Sequence, residues 1–277
     1  MTDENRVPPT EDADVPDVPR PRRKGIYVLP NAITLAALFG GFFSIVMAMN
    51  GRFDQAAIGV FCAMVLDSLD GRVARMTNTQ SAFGEQMDSL SDMVSFGAAP
   101  ALIVYEWSLK GLGKLGWVAA FVYCAGAALR LARFNTNIGI VDKRFFQGLP
   151  SPAAAALVTG LIWVMDDAGW KAVSTVGWLT WTAFAVTLYA GLTMVTNVPF
   201  YSFKVVGLKK TVPFIVIVAI ALGIAIINLH PPIVLFAMFC VYGLSGYAVY
   251  AWRRMKGKPV SVIATSTDEP DEQGLHR

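Results

Sequence analysis

From Val28 to Trp252 the chain reads as a succession of apolar blocks, each about as long as a bilayer is thick, separated by short polar or basic breaks. The hydrocarbon core of a membrane is about 30 Å deep, and roughly 20 helical residues cross it. Windows of that kind lie at 28–49, 53–75, 86–107, 115–134, 152–168, 172–194, 212–229 and 231–252. The pattern predicts an all-α integral membrane protein with about eight transmembrane helices. The window at 152–168 is the shortest and runs into Asp166 and Asp167, with Gly169 just beyond.

The two ends differ in character. Residues 1–24 are rich in Pro and charge, and Val7, Val15 and Val18 fit no helical period; residues 257–277 are polar. Both are expected to be disordered tails flanking a membrane domain over 25–256. Apolar sequence begins only after Arg22-Arg23-Lys24, without the short apolar core and small-residue cleavage site of a signal peptide, so the first helix is expected to act as the insertion signal.

Composition and charge sharpen this picture. The chain is 55% hydrophobic and only 16% charged, against about 25% charged residues in an ordinary soluble domain. Its net charge of +3 conceals a strong asymmetry. One alternating set of helix ends collects Arg20, Arg22, Arg23 and Lys24, then Arg72 and Arg75, then Arg130, Arg133, Lys143 and Arg144, then Lys204, Lys209 and Lys210, and finally Arg253, Arg254, Lys256 and Lys258. The other set has only Arg52, Lys110, Lys114 and Lys171. Excess positive charge marks the cytoplasmic side, so an even number of spans with both termini cytoplasmic is expected. The same charge favours anionic lipid at that face. Cys62, Cys124 and Cys240 lie inside apolar blocks at no metal-like spacing and are expected to be packing residues.

Against that background, residues 67–92 are anomalous: D-S-L-D-G-R-V-A-R-M-T-N-T-Q-S-A-F-G-E-Q-M-D-S-L-S-D. Asp67, Asp70, Asp88 and Asp92 lie within or beside apolar segments, where an insertion cost of roughly 2.5–3.5 kcal/mol per charge applies. Four neighbouring carboxylates also repel one another, and shared divalent cations are the simplest remedy. On a helix with Asp67 at zero, Asp70 falls near roughly −60°, Gly71 near +40°, Ala74 near −20° and Arg75 near +80°. One face thus offers two acids, two small residues that allow close approach, and a forked donor suited to phosphate oxygens. Asp88 and Asp92 are one turn apart, and the short polar loop 76–84 makes the two helices antiparallel neighbours with both acidic pairs at the cytoplasmic depth. A lone proton-relay or helix-pairing Asp, or an Asp-Gly turn, explains single residues but not the set. The ligand spacing of a calcium loop is missing, as are the glycine fingerprints of P-loops and dinucleotide sites. A paired-metal site that handles phosphates fits all the residues.

This stretch resembles the signature of the CDP-alcohol phosphatidyltransferases, D-x-x-D-G-x-x-A-R-x(8)-G-x-x-x-D-x-x-x-D, and matches it at every fixed position: Asp67, Asp70, Gly71, Ala74, Arg75, Gly84, Asp88 and Asp92. The resemblance implies a six-helix catalytic core, usually homodimeric, that releases CMP while joining a phosphatidyl group to an alcohol. It implies metal binding by Asp67, Asp70, Asp88 and Asp92, with two Mg²⁺ or Mn²⁺ ions expected and Asp92 doubling as the base. Asp67, Gly71, Ala74, Arg75 and Gly84 would receive the CDP portion. The core would occupy about 25–210, with two further helices over about 211–254.

The acceptor alcohol is indicated elsewhere. Residues 129–135, L-R-L-A-R-F-N, and 145–154, F-F-Q-G-L-P-S-P-A-A, resemble the bacterial and archaeal phosphatidylserine synthase branch of that family, as do Leu29-Pro30-Asn31 and Thr34. That likeness implies CDP-diacylglycerol and L-serine as substrates, no nucleic acid partner, and a prokaryotic inner membrane with the active site facing the cytoplasm. Arg130 and Arg133 are suited to a substrate carboxylate or phosphate, although basic helix ends also follow from topology alone. Asn135 and Ser151 are further substrate-side residues. Gly148, Pro150 and Pro152 would shape a rigid approach to the next helix. Other acceptors, glycerol 3-phosphate or inositol phosphate, stay open, and so does an intramembrane prenyltransferase. The latter carries its acidic motifs far apart, whereas Asp70 and Asp88 are 18 residues apart here. A cation or proton transporter accounts for the acids but not for Gly71, Ala74 and Arg75, and the chain has no convincing inverted repeat.

Overall fold

The computed structural model describes residues 28–136, 145–170, 176–202 and 214–256. The expected tails lie outside the described residues, as do Lys143, Arg144, Lys171, Lys204, Lys209, Lys210 and Lys258 of the charge pattern. The protein is built from helices α1 Val28–Met49, α2 Phe53–Met76, α3 Ala82–Asp92, α4 Ala99–Trp107, α5 Lys114–Thr136, α6 Ser151–Asp167, α7 Trp178–Val195, α8 Phe214–Leu229 and α9 Pro231–Met255. Over its described residues each apolar block is helical, as an all-α fold requires. Besides the helices, two three-residue strands, β1 Phe145–Gln147 and β2 Pro199–Tyr201, pair antiparallel, with Phe146 opposite Phe200. One expectation needs correction: the block at 86–107 is not one regular helix, because a π-helical segment, Met93–Ala98, separates α3 from α4.

That interruption has a local cause. Pro100 has no N–H to offer and cannot bond the carbonyl four residues back, that of Phe96. The Phe96 carbonyl instead accepts from the buried Tyr123 hydroxyl of α5 at 2.9 Å. A wider turn here lets a side chain of a neighbouring helix complete the backbone bonding.

Among the described residues, α1, α5, α7 and α9 are long and apolar enough to cross a membrane. The other helices fall short for identifiable reasons. α2 carries Asp67, Asp70, Arg72 and Arg75; α6 and α8 have 17 and 16 residues; and α3 and α4 are separated by the π segment. Leu35, Phe39, Phe42 and Met49 leave one side of α1 apolar and exposed, as a helix facing lipid requires.

Small residues set the helix spacing. A Cβ on Gly40 would stand 3.2 Å from both the Ala63 Cβ and the Gly59 carbonyl, and one on Gly41 would overlap Ser95, so α1 approaches α2 and the π segment almost backbone to backbone. Hydroxyls then bond across the seam: Ser91 donates to the Thr34 carbonyl at 3.3 Å and Ser95 to that of Ala37 at 3.1 Å. The interior is alanine-rich, with Phe53, Phe96, Trp107 and Tyr123 as its largest fully buried side chains. α9 docks on α6 and β2: Gly160 lies under Phe236, Gly243 against Leu157, and Gly246 under the Phe200 ring.

Candidate active site

The acidic residues are placed by the end of α2 and by α3. Ser81 caps α3, its Oγ accepting from the Gly84 N–H at 3.1 Å, which fixes where the third helix begins after the loop. With α2 and α3 so set, one ligand oxygen each from Asp67, Asp70 and Asp88 lies within 4.8 Å of the others. Asp70 is only 4% exposed, and its Oδ2 accepts from the Thr34 hydroxyl of α1 at 2.6 Å. Asp92, the last residue of α3, is in electrostatic reach of Asp67, Asp88 and Arg130. Its Oδ1 is buried and accepts no hydrogen bond from any described group. A buried carboxylate oxygen without a donor, beside three converging carboxylates, is the environment that a divalent cation satisfies, so the donor set fits Mg²⁺ or Mn²⁺.

Asp70, Asp88 and Asp92, though not Asp67, line a cavity of about 480 Å³ bounded by the first turns of α1, the end of α2, α3 and the end of α5. Gly71, Ala74, Arg75 and Gly84 all line it, together with Asp70, Asp88 and Asp92. The two glycines have different reasons to be glycine. A Cβ on Gly71 would meet only the Arg75 guanidinium, at 3.7 Å, so its missing side chain leaves room in the cavity rather than in a helix contact. A Cβ on Gly84 would lie 3.2 Å from Ser81 Oγ and 3.4 Å from Asn31 Oδ1, so that glycine also clears space for the cap.

The residues expected on the acceptor side divide. Arg130 is 8% exposed and donates through Nη1 to Ser151 Oγ at 2.9 Å, while its Nε has no partner among the described residues. Arg133 faces five acceptors instead: the carbonyls of Met194, Val195, Thr196 and Gln147 and the Asn197 Oδ1, at 2.9–3.2 Å. It thereby closes the C-terminus of α7, whose free carbonyls carry partial negative charge. Gly148 and Leu149 bond the same corner through the carbonyls of Val198 and Thr193. Gly148 has a φ of +72°, and a Cβ there would overlap the Met194 carbonyl. Asn135 is exposed, lines the cavity and donates to Ser89 Oγ at 3.0 Å.

Sequence reasoning did not assign Asn31, Thr79, Ser81 or Ser89 to the cavity, and it noted Thr34 without giving it a role. The available signal was a polar residue inside an apolar block, as with Thr34, and a Ser just before a helical run, as with Ser81.

Known proteins are similar to this chain in sequence. The family model for CDP-alcohol phosphatidyltransferases matches residues 27–189. The CDP-diacylglycerol–serine O-phosphatidyltransferase of Helicobacter pylori is 35% identical over 220 residues, which is 79% of this chain and 90% of that protein. The enzyme of the same name from Mycobacterium leprae is 32% identical over 81% of this chain and 75% of its own. That of Methanocaldococcus jannaschii is 35% identical over 68% and 82%. The matched region runs from the start of α1 into α7 and holds every residue of the acidic signature, and on that ground the chain belongs to the CDP-alcohol phosphatidyltransferase family.

Proposed function

We propose that the protein is a phosphatidylserine synthase of the membrane, transferring the phosphatidyl group of CDP-diacylglycerol to the hydroxyl of L-serine and releasing CMP. The observation that carries this reading is the cavity lined by Asp70, Asp88, Asp92 and the open floor at Gly71, with Asp67 converging on the same carboxylates and the buried Arg130 in electrostatic reach of Asp92. The relatives that act on serine by name span most of the chain and support the acceptor.

In this reading the cytidine diphosphate lies over Gly71, Ala74 and Gly84, whose small size allows close approach, and Arg75 pairs with a phosphate oxygen. Diacylglycerol chains extend between helices into the cytoplasmic leaflet. Asp67, Asp70, Asp88 and Asp92 hold Mg²⁺ or Mn²⁺, two ions in all. When bound, such ions polarise the phosphoryl oxygens and offset charge on the departing CMP. Asp92 takes the proton of the serine hydroxyl, whose oxygen attacks the phosphorus bonded to the diacylglycerol oxygen; the bond from that phosphorus to CMP breaks. Arg130 receives the serine carboxylate through its unpartnered Nε, with Ser151 holding the rest of the guanidinium in place. Asn135 lies at the cavity wall.

The same reading includes eight spans with a core over about 25–210, both termini and the active site in the cytoplasm of a prokaryotic cell, and a homodimer. The basic residues at α2, α5 and α9 ends support the orientation. Purified protein supplied with CDP-diacylglycerol and, in turn, L-serine, glycerol 3-phosphate and inositol phosphate is expected to form CMP and phosphatidylserine with serine alone. CMP formation with another alcohol and none with serine would overturn the acceptor assignment.

A further inference from the structure

α1 contributes no carboxylate to the site, yet one of its residues touches both acid-bearing helices. Thr34 is 4% exposed, in a helix otherwise almost entirely apolar on its buried side. Its hydroxyl donates to Asp70 Oδ2 at 2.6 Å and lies 3.1 Å from the Pro30 carbonyl of the preceding turn. Its own carbonyl accepts from Ser91 of α3 at 3.3 Å, and Ser91 immediately precedes Asp92. We propose that Thr34 is a positioning residue: its hydroxyl fixes the plane of the Asp70 carboxylate so that Oδ1 faces Asp67 and Asp88, and its backbone sets the depth of α3 against α2.

The physical case rests on what Asp70 would do without it. A buried carboxylate has two free torsions and two equivalent oxygens. In a cluster whose ligand atoms lie within 4.8 Å it is also pushed away by its neighbours. A short hydrogen bond to one oxygen removes that freedom before any cation arrives, as outer partners of metal ligands do. The hydroxyl is well placed for this because it rides on a helix packed closely against α2 through Gly40 and Ala63.

This inference rests on the reading of Asp67, Asp70 and Asp88 as cation ligands, and its test separates the two. Mn²⁺ binding to the full chain in nanodiscs is measured by electron paramagnetic resonance, without substrate, for wild type, Thr34→Val, Thr34→Ser and Asp70→Asn. Val preserves shape and removes the hydroxyl; Ser keeps the hydroxyl and loses the methyl. Thr34→Val is expected to weaken Mn²⁺ binding by about 10-fold or more, in the range seen for outer-shell partners, and Thr34→Ser to stay within about threefold of wild type by the same measure. The metal concentration giving half-maximal turnover should move in parallel, with the KM for CDP-diacylglycerol unchanged. If the Val variant does not insert, Thr34→Ala against Thr34→Ser gives the same comparison. Mn²⁺ binding that is equal in the hydroxyl-free and hydroxyl-bearing variants would overturn the role of Thr34 alone. Wild type that binds no Mn²⁺, or binding unchanged in Asp70→Asn, would overturn the metal reading and the inference with it.

Discussion

The four aspartates are chemically alike in sequence and distinct in place. Asp67, Asp70 and Asp88 converge on one point, while Asp92 stands beside them with a buried oxygen that no described donor reaches. Asn at any of the four keeps shape and removes charge, so each substitution should lower turnover at least about a hundredfold, roughly 2.7 kcal/mol of transition-state stabilisation, while the chain still inserts. The first three should also lose Mn²⁺ binding, and Asp92→Asn should keep more of it. Chelator should inactivate wild type and Mg²⁺ or Mn²⁺ restore it; full turnover in chelator would end the metal assignment. Gly71 gives an independent test. Bulk at position 71 enters the cavity without striking another helix, since only Arg75 lies within reach of a Cβ. Gly71→Leu should therefore weaken CDP-diacylglycerol binding by about 10- to 100-fold, the 1–3 kcal/mol typical of overfilling a packed space, and leave thermal stability near wild type. Equal affinity in a folded Gly71→Leu protein would remove Gly71 from the nucleotide pocket.

At the scale of elements, the joint between α5, the β1–β2 ribbon and α7 separates two arginines that look interchangeable in L-R-L-A-R-F-N. Arg133 is consumed by carbonyls at the end of α7, whereas Arg130 keeps a buried N–H without a partner among the described residues. Arg133→Lys replaces a fork by a point donor and should cost stability, about 2 kcal/mol for hydrogen bonds to a charged group, with little change in the KM for serine. Arg130→Lys should raise the serine KM and spare CDP-diacylglycerol binding. Thermal unfolding and kinetics with each substrate varied separately distinguish them, and a normal serine KM in Arg130→Lys would leave the carboxylate to another group. The sequence allowed the helical blocks and the acidic signature to be read because both depend on local spacing: apolar runs mark helices, and Asp67 and Asp70 share a face by helical geometry alone. It did not disclose the role of Arg133, since four of its five partners come from residues 61–64 positions away, or the ribbon, whose strands of three residues carry no periodic signal. The π segment was not read from the sequence, where 86–107 stood as one span: Pro100 was the available signal, and only the packing of Tyr123 shows how the broken bond is filled.

For the whole molecule, the question is how many times the chain crosses, because length and composition alone single out α1, α5, α7 and α9. The contacts between helix ends bear on it, and they support the eight crossings proposed above. The cavity gathers the start of α1, the end of α2, the start of α3 and the end of α5. Arg130 and Arg133 then join the end of α5 to the start of α6 and the end of α7. At the opposite pole, Trp107 just at the end of α4 donates to the carbonyl of Trp170 beyond α6, at 3.1 Å, and Trp170 lies edge-on to Trp178 at the start of α7, with centroids 6.4 Å apart. Starts and ends alternate strictly between the poles, as in a chain that crosses at every block, the α3–π–α4 run counting as one. α9 continues the alternation, passing Gly160 of α6 with Phe236 and Phe200 of the ribbon with Gly246, so that Arg253 and Arg254 finish at the cavity pole. In the eight-span reading the charged and short helices are the ones that length and hydropathy alone do not single out, and α2 is among them because it carries the site's own acids and arginines. The expected outcome is eight crossings with Lys110 and Arg254 on opposite sides. In a Cys62→Ser, Cys124→Ser, Cys240→Ser background, a membrane-impermeant maleimide should label Lys110→Cys in intact cells and Arg254→Cys only after the membrane is opened. Both residues are exposed, so labelling reports sidedness rather than burial. Labelling of both from the same side would mean that the α5–α9 region crosses an even number of times, and the alternation of helix ends would then fail as a guide to the topology.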